Sequence, residues 1–116
     1  MAEAARRAAR ELAKLSGDRK NAALRAMADG IVAAQDRILA ANAKDLEVAR
    51  AEGHPAAFVD RLTLNPTRVA AVADGLRQIA DLPDPVGEVA GMVRRPNGLW
   101  VGRMRVPLGV ITIIYE

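Results

Sequence analysis

Residues 107–116, PLGVITIIYE, place the strongest constraint on what this chain folds into. Val110, Ile111, Ile113 and Ile114 do not alternate with polar residues, and Thr112 alone interrupts them. A strand with one face in water alternates apolar and polar side chains. A continuous apolar run needs cover on both faces, as in a parallel sheet between helices. Burying four such side chains is worth about 6–12 kcal/mol as an upper estimate, which rivals the ~5–15 kcal/mol stability of a whole domain. Helices in these 116 residues supply cover for one face; the other face and the neighbouring strands are expected from residues outside this sequence.

Upstream the period becomes helical. Residues 3–15 are expected as a first helix, stopped near Ser16-Gly17, because glycine readily takes the left-handed conformation that ends helices. Asp18 is expected to cap the next helix, accepting from an otherwise orphaned N–H. Leu24, Met27, Ala28, Ile31 and Ala34 then recur at spacings of three and four. Ile38, Leu39, Leu46 and Ala49 carry the pattern to about Glu52, with a break near Asn42, and Gly30 costs ~1 kcal/mol relative to alanine. Gly53-His54-Pro55 reads as a loop, followed by a short helical turn over 56–61. Asn65 as N-cap and Pro66 at the first helical position open the best-marked helix, with Val69, Val72, Leu76 and Ile79 as its apolar stripe. Pro83 and Pro85 end it.

After Pro85 the runs are strand-like, separated by Pro96-Asn97-Gly98 and Pro107. Asn97-Gly98 signals a hairpin, because both residues tolerate positive φ. Leu99, Val101, Arg103 and Arg105 are expected on one face of its second strand, and Trp100, Gly102, Met104 and Val106 on the other. Trp100 reads as either a core residue or an interface anchor, the second favoured since an isolated two-stranded ribbon needs something to pack on. Arg94, Arg95, Arg103 and Arg105 make the hairpin basic, which either attracts an acidic or phosphate-bearing partner or discourages stray strand pairing.

Composition excludes several chemistries. Hydrophobic residues are 51% of the chain, but much of that is alanine and only three residues are aromatic, so the apolar mass is thin. There is no cysteine, hence no disulfide framework, thiolate metal site or cysteine nucleophile within this stretch. One histidine cannot build the usual zinc sets, and His54, between glycine and proline, reads as a solvated loop residue. The net charge of +3 comes from 17 bases and 14 acids that interleave along the helices, the pattern of a solvated surface rather than a nucleic-acid binder. No run is long and apolar enough to span a bilayer. Glu3 and Glu11 among Arg6, Arg7 and Arg10 speak for an ordinary amphipathic helix over a transit peptide, so a cytoplasmic protein is expected. No G-x-G-x-x-G or Walker A motif occurs, and no paired carboxylates suggest acid/base work. From the residues alone, the chain is a helical layer with the beginning of a buried sheet.

Three stretches carry more. ILAANAKDLEVAR (38–50), DRLTLNPTRVAAVADGLRQIADLPDPVGEV (60–89) and RPNGLWVGRMRVPLGVITIIYE (95–116) closely resemble the amino-terminal portion of the gamma-glutamyl phosphate reductase family, within the aldehyde dehydrogenase superfamily. The resemblance implies an α/β fold, aldehyde dehydrogenase-like, of which this chain holds only the N-terminal helices, the β-arm hairpin and the first strand of the nucleotide-binding sheet. The corresponding divisions are 1–84 for the helical portion, 85–107 for an oligomerisation arm and 108–116 for the first core strand. It implies NADPH-dependent reduction of L-glutamyl 5-phosphate to glutamate 5-semialdehyde with release of phosphate, the second step of proline biosynthesis. The implied catalytic groups, a thiolate that forms a thioester and an oxyanion-hole asparagine, lie beyond residue 116, so the chain alone is expected to be inactive. Tyr115 and Glu116 are the implied cofactor-binding positions, at the carboxyl end of the last strand where open α/β sheets place their ligand crevice. The implied partners are a small acyl phosphate and a second subunit met through the β-arm, with no metal, nucleic acid or membrane. Thr112 stands where the family pattern has glycine and would crowd a cofactor or helix; Gly30 stands where a helix former is expected. Two other readings stay open: a non-catalytic helical interaction module with a basic β-arm, and another member of the superfamily.

Overall fold

The computed structural model describes residues 2–114. In chain order its elements are α1 (Ala2–Leu12), α2 (Gly17–Ala33), α3 (Gln35–Ala51), α4 (Ala56–Leu62), α5 (Pro66–Ala80), β1 (Val89–Arg94) and β2 (Trp100–Met104). The chain forms two units, one of residues Asn21–Leu82 and one joining the chain up to Lys20 with the chain from Pro83 onward.

In the helical unit, α5 starts as its sequence requires. Asn65 is extended and its side-chain oxygen accepts from the Arg68 N–H at 2.8 Å, with Pro66 in the first turn. That satisfies one donor the helix leaves orphaned, and proline's missing N–H costs nothing there. α3 packs on α4 and α5. The core is small and alanine-rich: Ala28, Leu46, Ala49, Val69, Ala73 and Ala80 are buried. The expected α5 stripe is therefore corrected. Val69 and Leu76 turn inward with Ala73 and Ala80, while Val72 and Ile79 stay 54% and 53% exposed. A stripe of alanines lets helices approach closely, so the buried face is not the one with the largest side chains.

The break between the second and third helices falls at Ala34, not near Asn42. Ala34 has φ −93° and ψ 8°, yet its N–H still donates to the Gly30 carbonyl at 3.1 Å, and the Ile38 N–H donates to Ala34 at 3.0 Å. Asn42 is instead buried in the middle of α3. Its amide donates to the Leu62 carbonyl at 2.9 Å, and its oxygen accepts from the Leu64 N–H at 2.8 Å. Both groups lie at the α4–α5 connection. Between α2 and α5, the Arg77 guanidinium bonds Asp29 and Asp74, each at 2.9 Å, and these carboxylates raise its pKa further.

In the other unit, α1 stops at Leu12 rather than residue 15, and Gly17 opens α2 instead of closing α1. Asp18 consequently lies inside the first turn of α2, where a carboxylate suits the helix dipole, and is not ahead of it as a cap. A side chain at Gly17 would meet the Asp84 Cβ at 3.3 Å. Asp84 accepts from Lys20 at 2.7 Å and from the Val86 N–H at 3.0 Å, which fastens the Pro83–Pro85 turn to the start of α2.

β1 and β2 pair antiparallel, with Val89 opposite Met104, Ala90 opposite Arg103, Val93 opposite Val101 and Arg94 opposite Trp100. The register slips by one between Ala90 and Val93, where Gly91 takes φ +64° and makes a bulge. The turn differs from the expected two-residue one. The Gly98 N–H donates to Arg95 at 2.9 Å, so Pro96 and Asn97 are its central residues, and Gly98 alone takes positive φ, at +86°. Proline favours the first central position of such a turn, and glycine the residue that leaves it. The run after β2, expected as a sheet strand, has no partner strand among the described residues. Leu108 and Ile114 are 90% and 87% exposed.

Candidate functional site

The hairpin and the chain behind it concentrate the unsatisfied chemistry of this protein. Residues paired across an antiparallel ribbon share a face. One face carries Val89 and Met104 at its base, Met92 beside Gly102, and the Arg94–Trp100 pair next to the turn. A Cβ added at Gly102 would meet the Met92 side chain, which would have to move aside. The opposite face carries Ala90, Val93 and Val101 with Arg95 and Arg103 around a shallow groove. Every residue of both strands is exposed, Trp100 to 64%. A bare two-stranded ribbon is marginal in water, so exposed apolar side chains with arginines on both faces suit a docking element.

The charge is local. Residues 89–105 hold four arginines and no carboxylate, whereas the rest of the chain has thirteen bases and fourteen acids. At the ribbon's base Glu88 meets Arg105 at 3.2 Å. The sequence pattern assigned Trp100 to an apolar face but did not reveal Arg94 beside it. Counting the register outward from the Pro96-Asn97 turn would have paired the two. Behind the hairpin, Pro107, Gly109 and Val110 face α1 across an open groove of 580 Å³ flanked by Arg6 and Arg10.

The two expected cofactor positions, Tyr115 and Glu116, lie outside the described residues. His54 follows Gly53 (φ +75°), stacks on Phe58 with ring centroids 4.3 Å apart, and approaches Glu52 at 3.3 Å. Among the described residues no three His, Asp or Glu side chains gather as metal ligands. With no cysteine in the sequence, thiolate chemistry has no nucleophile in this chain.

No protein-family model matches the chain. It is 55% identical over 109 residues to gamma-glutamyl phosphate reductase of Salinibacter ruber, covering 94% of this chain and 25% of that protein. The reductase of Carboxydothermus hydrogenoformans is 52% identical over 116 residues, covering 100% of this chain and 28% of its own length. In structure the chain matches the crystal structure of gamma-glutamyl phosphate reductase from Thermotoga maritima with a TM-score of 0.86 and 36% identity, over 91% of this chain and 26% of that one. The chain thus spans about a quarter of the length of the curated relatives it matches. Along nearly all of its own length it is a homologue of gamma-glutamyl phosphate reductase, with the fold of the matching segment of that aldehyde dehydrogenase-like enzyme.

Proposed function

We propose that this chain is the amino-terminal portion of a cytoplasmic enzyme that reduces L-glutamyl 5-phosphate to L-glutamate 5-semialdehyde with NADPH and releases phosphate, in proline biosynthesis. The similarity at more than half identity over nearly the whole chain carries this reading. The nicotinamide chemistry and the acyl-accepting thiolate belong to the other three-quarters of such an enzyme. What these residues contribute is position. The helices of 1–84 brace a nucleotide-binding domain, residues 108–116 enter its sheet as the first core strand, and Tyr115 and Glu116 reach the cofactor crevice. The 85–107 arm joins subunits, a role supported by the exposure of both its faces.

The test is a chimera in which this chain replaces the matching segment of the Carboxydothermus hydrogenoformans reductase. NADPH-dependent reduction of the acyl phosphate, or phosphate-dependent oxidation of the semialdehyde, is expected from the chimera and absent from the chain alone. A folded but inactive chimera, or turnover by the isolated chain, overturns the reading.

A further inference from the structure

We infer that the stripe of Val72, Gly75, Ile79 and Leu82 along α5 is the surface on which the downstream part of a longer reductase packs, through an uncharged apolar element that comes close to the helix backbone at Gly75. The inference rests on the reading of this chain as the amino-terminal portion of such an enzyme, and names the face that meets the rest.

The four residues recur at spacings of three, four and three, which places them on one side of α5 and of the turn that follows it. Val72 and Ile79 are more than half exposed, and Leu82 is 62% exposed. The solvent side of a helix is normally its charged side. Here the charges lie elsewhere. By the same period Asp74, Arg77 and Asp81 fall away from the stripe, and each is already paired: Arg77 with Asp29 and Asp74, and Asp81 with Arg25, all at 2.9 Å. The stripe therefore offers a partner no charge to satisfy, and a charged surface laid on it would lose hydration without compensation.

Gly75 indicates how close the cover comes. Glycine is the weakest helix former after proline, and Gly75 sits inside α5 without a positive φ. Nothing lies within 4 Å of where its Cβ would stand, so no neighbour among the described residues requires a glycine there. An element arriving from outside does require one, because the missing side chain lets it approach the helix backbone. Three large side chains on one helix present far less than the ~800 Å² per partner of a stable interface between separate chains. Cover from the same polypeptide fits better than a second copy, and the relatives are about four times as long as this chain.

The chain has no cysteine, so a single one introduced into it reports its own surroundings. Val72→Cys and Ile79→Cys, alkylated with iodoacetamide and read by peptide mass spectrometry, are expected to react at least tenfold more slowly in the chimeric reductase than in the isolated chain. Gly75→Leu should raise the Tm of the isolated chain, where the space is open, and lower that of the chimera, where it is filled. Equal alkylation in the two, or Gly75→Leu raising both midpoints, in a chimera that still reduces the acyl phosphate, overturns the inference and leaves the reading of the enzyme standing. Slow alkylation of the isolated chain that quickens on dilution shows a second copy on the stripe, and also overturns it. A chimera that is inactive without these substitutions overturns the reading, and the inference with it.

Discussion

Asn42 holds Leu62 from the middle of another helix: its amide donates to the Leu62 carbonyl at 2.9 Å while its oxygen takes the Leu64 N–H. One buried side chain thereby satisfies two backbone groups at the α4–α5 connection. Asn42→Ala leaves a part-buried carbonyl and N–H without their side-chain partner, at a cost of about 1–3 kcal/mol. Urea unfolding followed by circular dichroism measures it, and a change below about 0.5 kcal/mol, the range of ordinary surface substitutions, contradicts the bracket.

The α5 register makes a paired prediction. Val69 is 2% exposed and Ile79 is 53% exposed. Val69→Ala should destabilise the helical unit by about 2 kcal/mol, whereas Ile79→Ala should change it by less than about 0.5 kcal/mol. Equal losses in the same unfolding experiment would mean that α5 is rotated from the face described.

Lys20, and then the Val86 N–H, hold the Asp84 carboxyl below its ordinary range. A carboxyl whose pKa falls on folding adds stability that is present above the unfolded value, about 3.9, and lost as pH drops through the folded one. The stability difference between the wild type and Asp84→Asn should therefore be greatest near neutral pH and shrink below about pH 4. A difference independent of pH would show that the Lys20 contact contributes nothing electrostatic.

Gly98 leaves the hairpin turn at φ +86°. Alanine there costs about 1–2 kcal/mol in backbone strain, enough to open the turn at least fivefold more often. Hydrogen exchange of the Arg95 amide, bonded to the Leu99 carbonyl at 2.8 Å, reports that opening. An unchanged rate would contradict the turn geometry.

Where local chemistry decides an element, the residues announced it. Asn65-Pro66 named the start of α5, and Pro96-Asn97-Gly98 named the hairpin. The turn type was misread because proline before the asparagine shifts the turn by one residue, leaving positive φ to Gly98 alone. The buried face of α5 was hidden because alanine is compatible with either side, so Val72 and Ile79 drew the eye away from Ala73 and Ala80. The joint at Ala34 left no mark because helical hydrogen bonds continue across it. Asn42 was read only as a break in the helix, because its partners at Leu62 and Leu64 come from 20 and 22 residues away and no local pattern shows them. At the candidate site, exposure of Trp100 and the arginine cluster were readable; which arginine lies beside Trp100 depends on the register.

If residues 108–114 are a strand of a larger sheet, amide exchange at Val110–Ile114 reports it most directly. In the chimeric reductase those amides should exchange slower by several orders of magnitude than in the chain alone, because ladder hydrogen bonds protect them. Equally rapid exchange in both would contradict it.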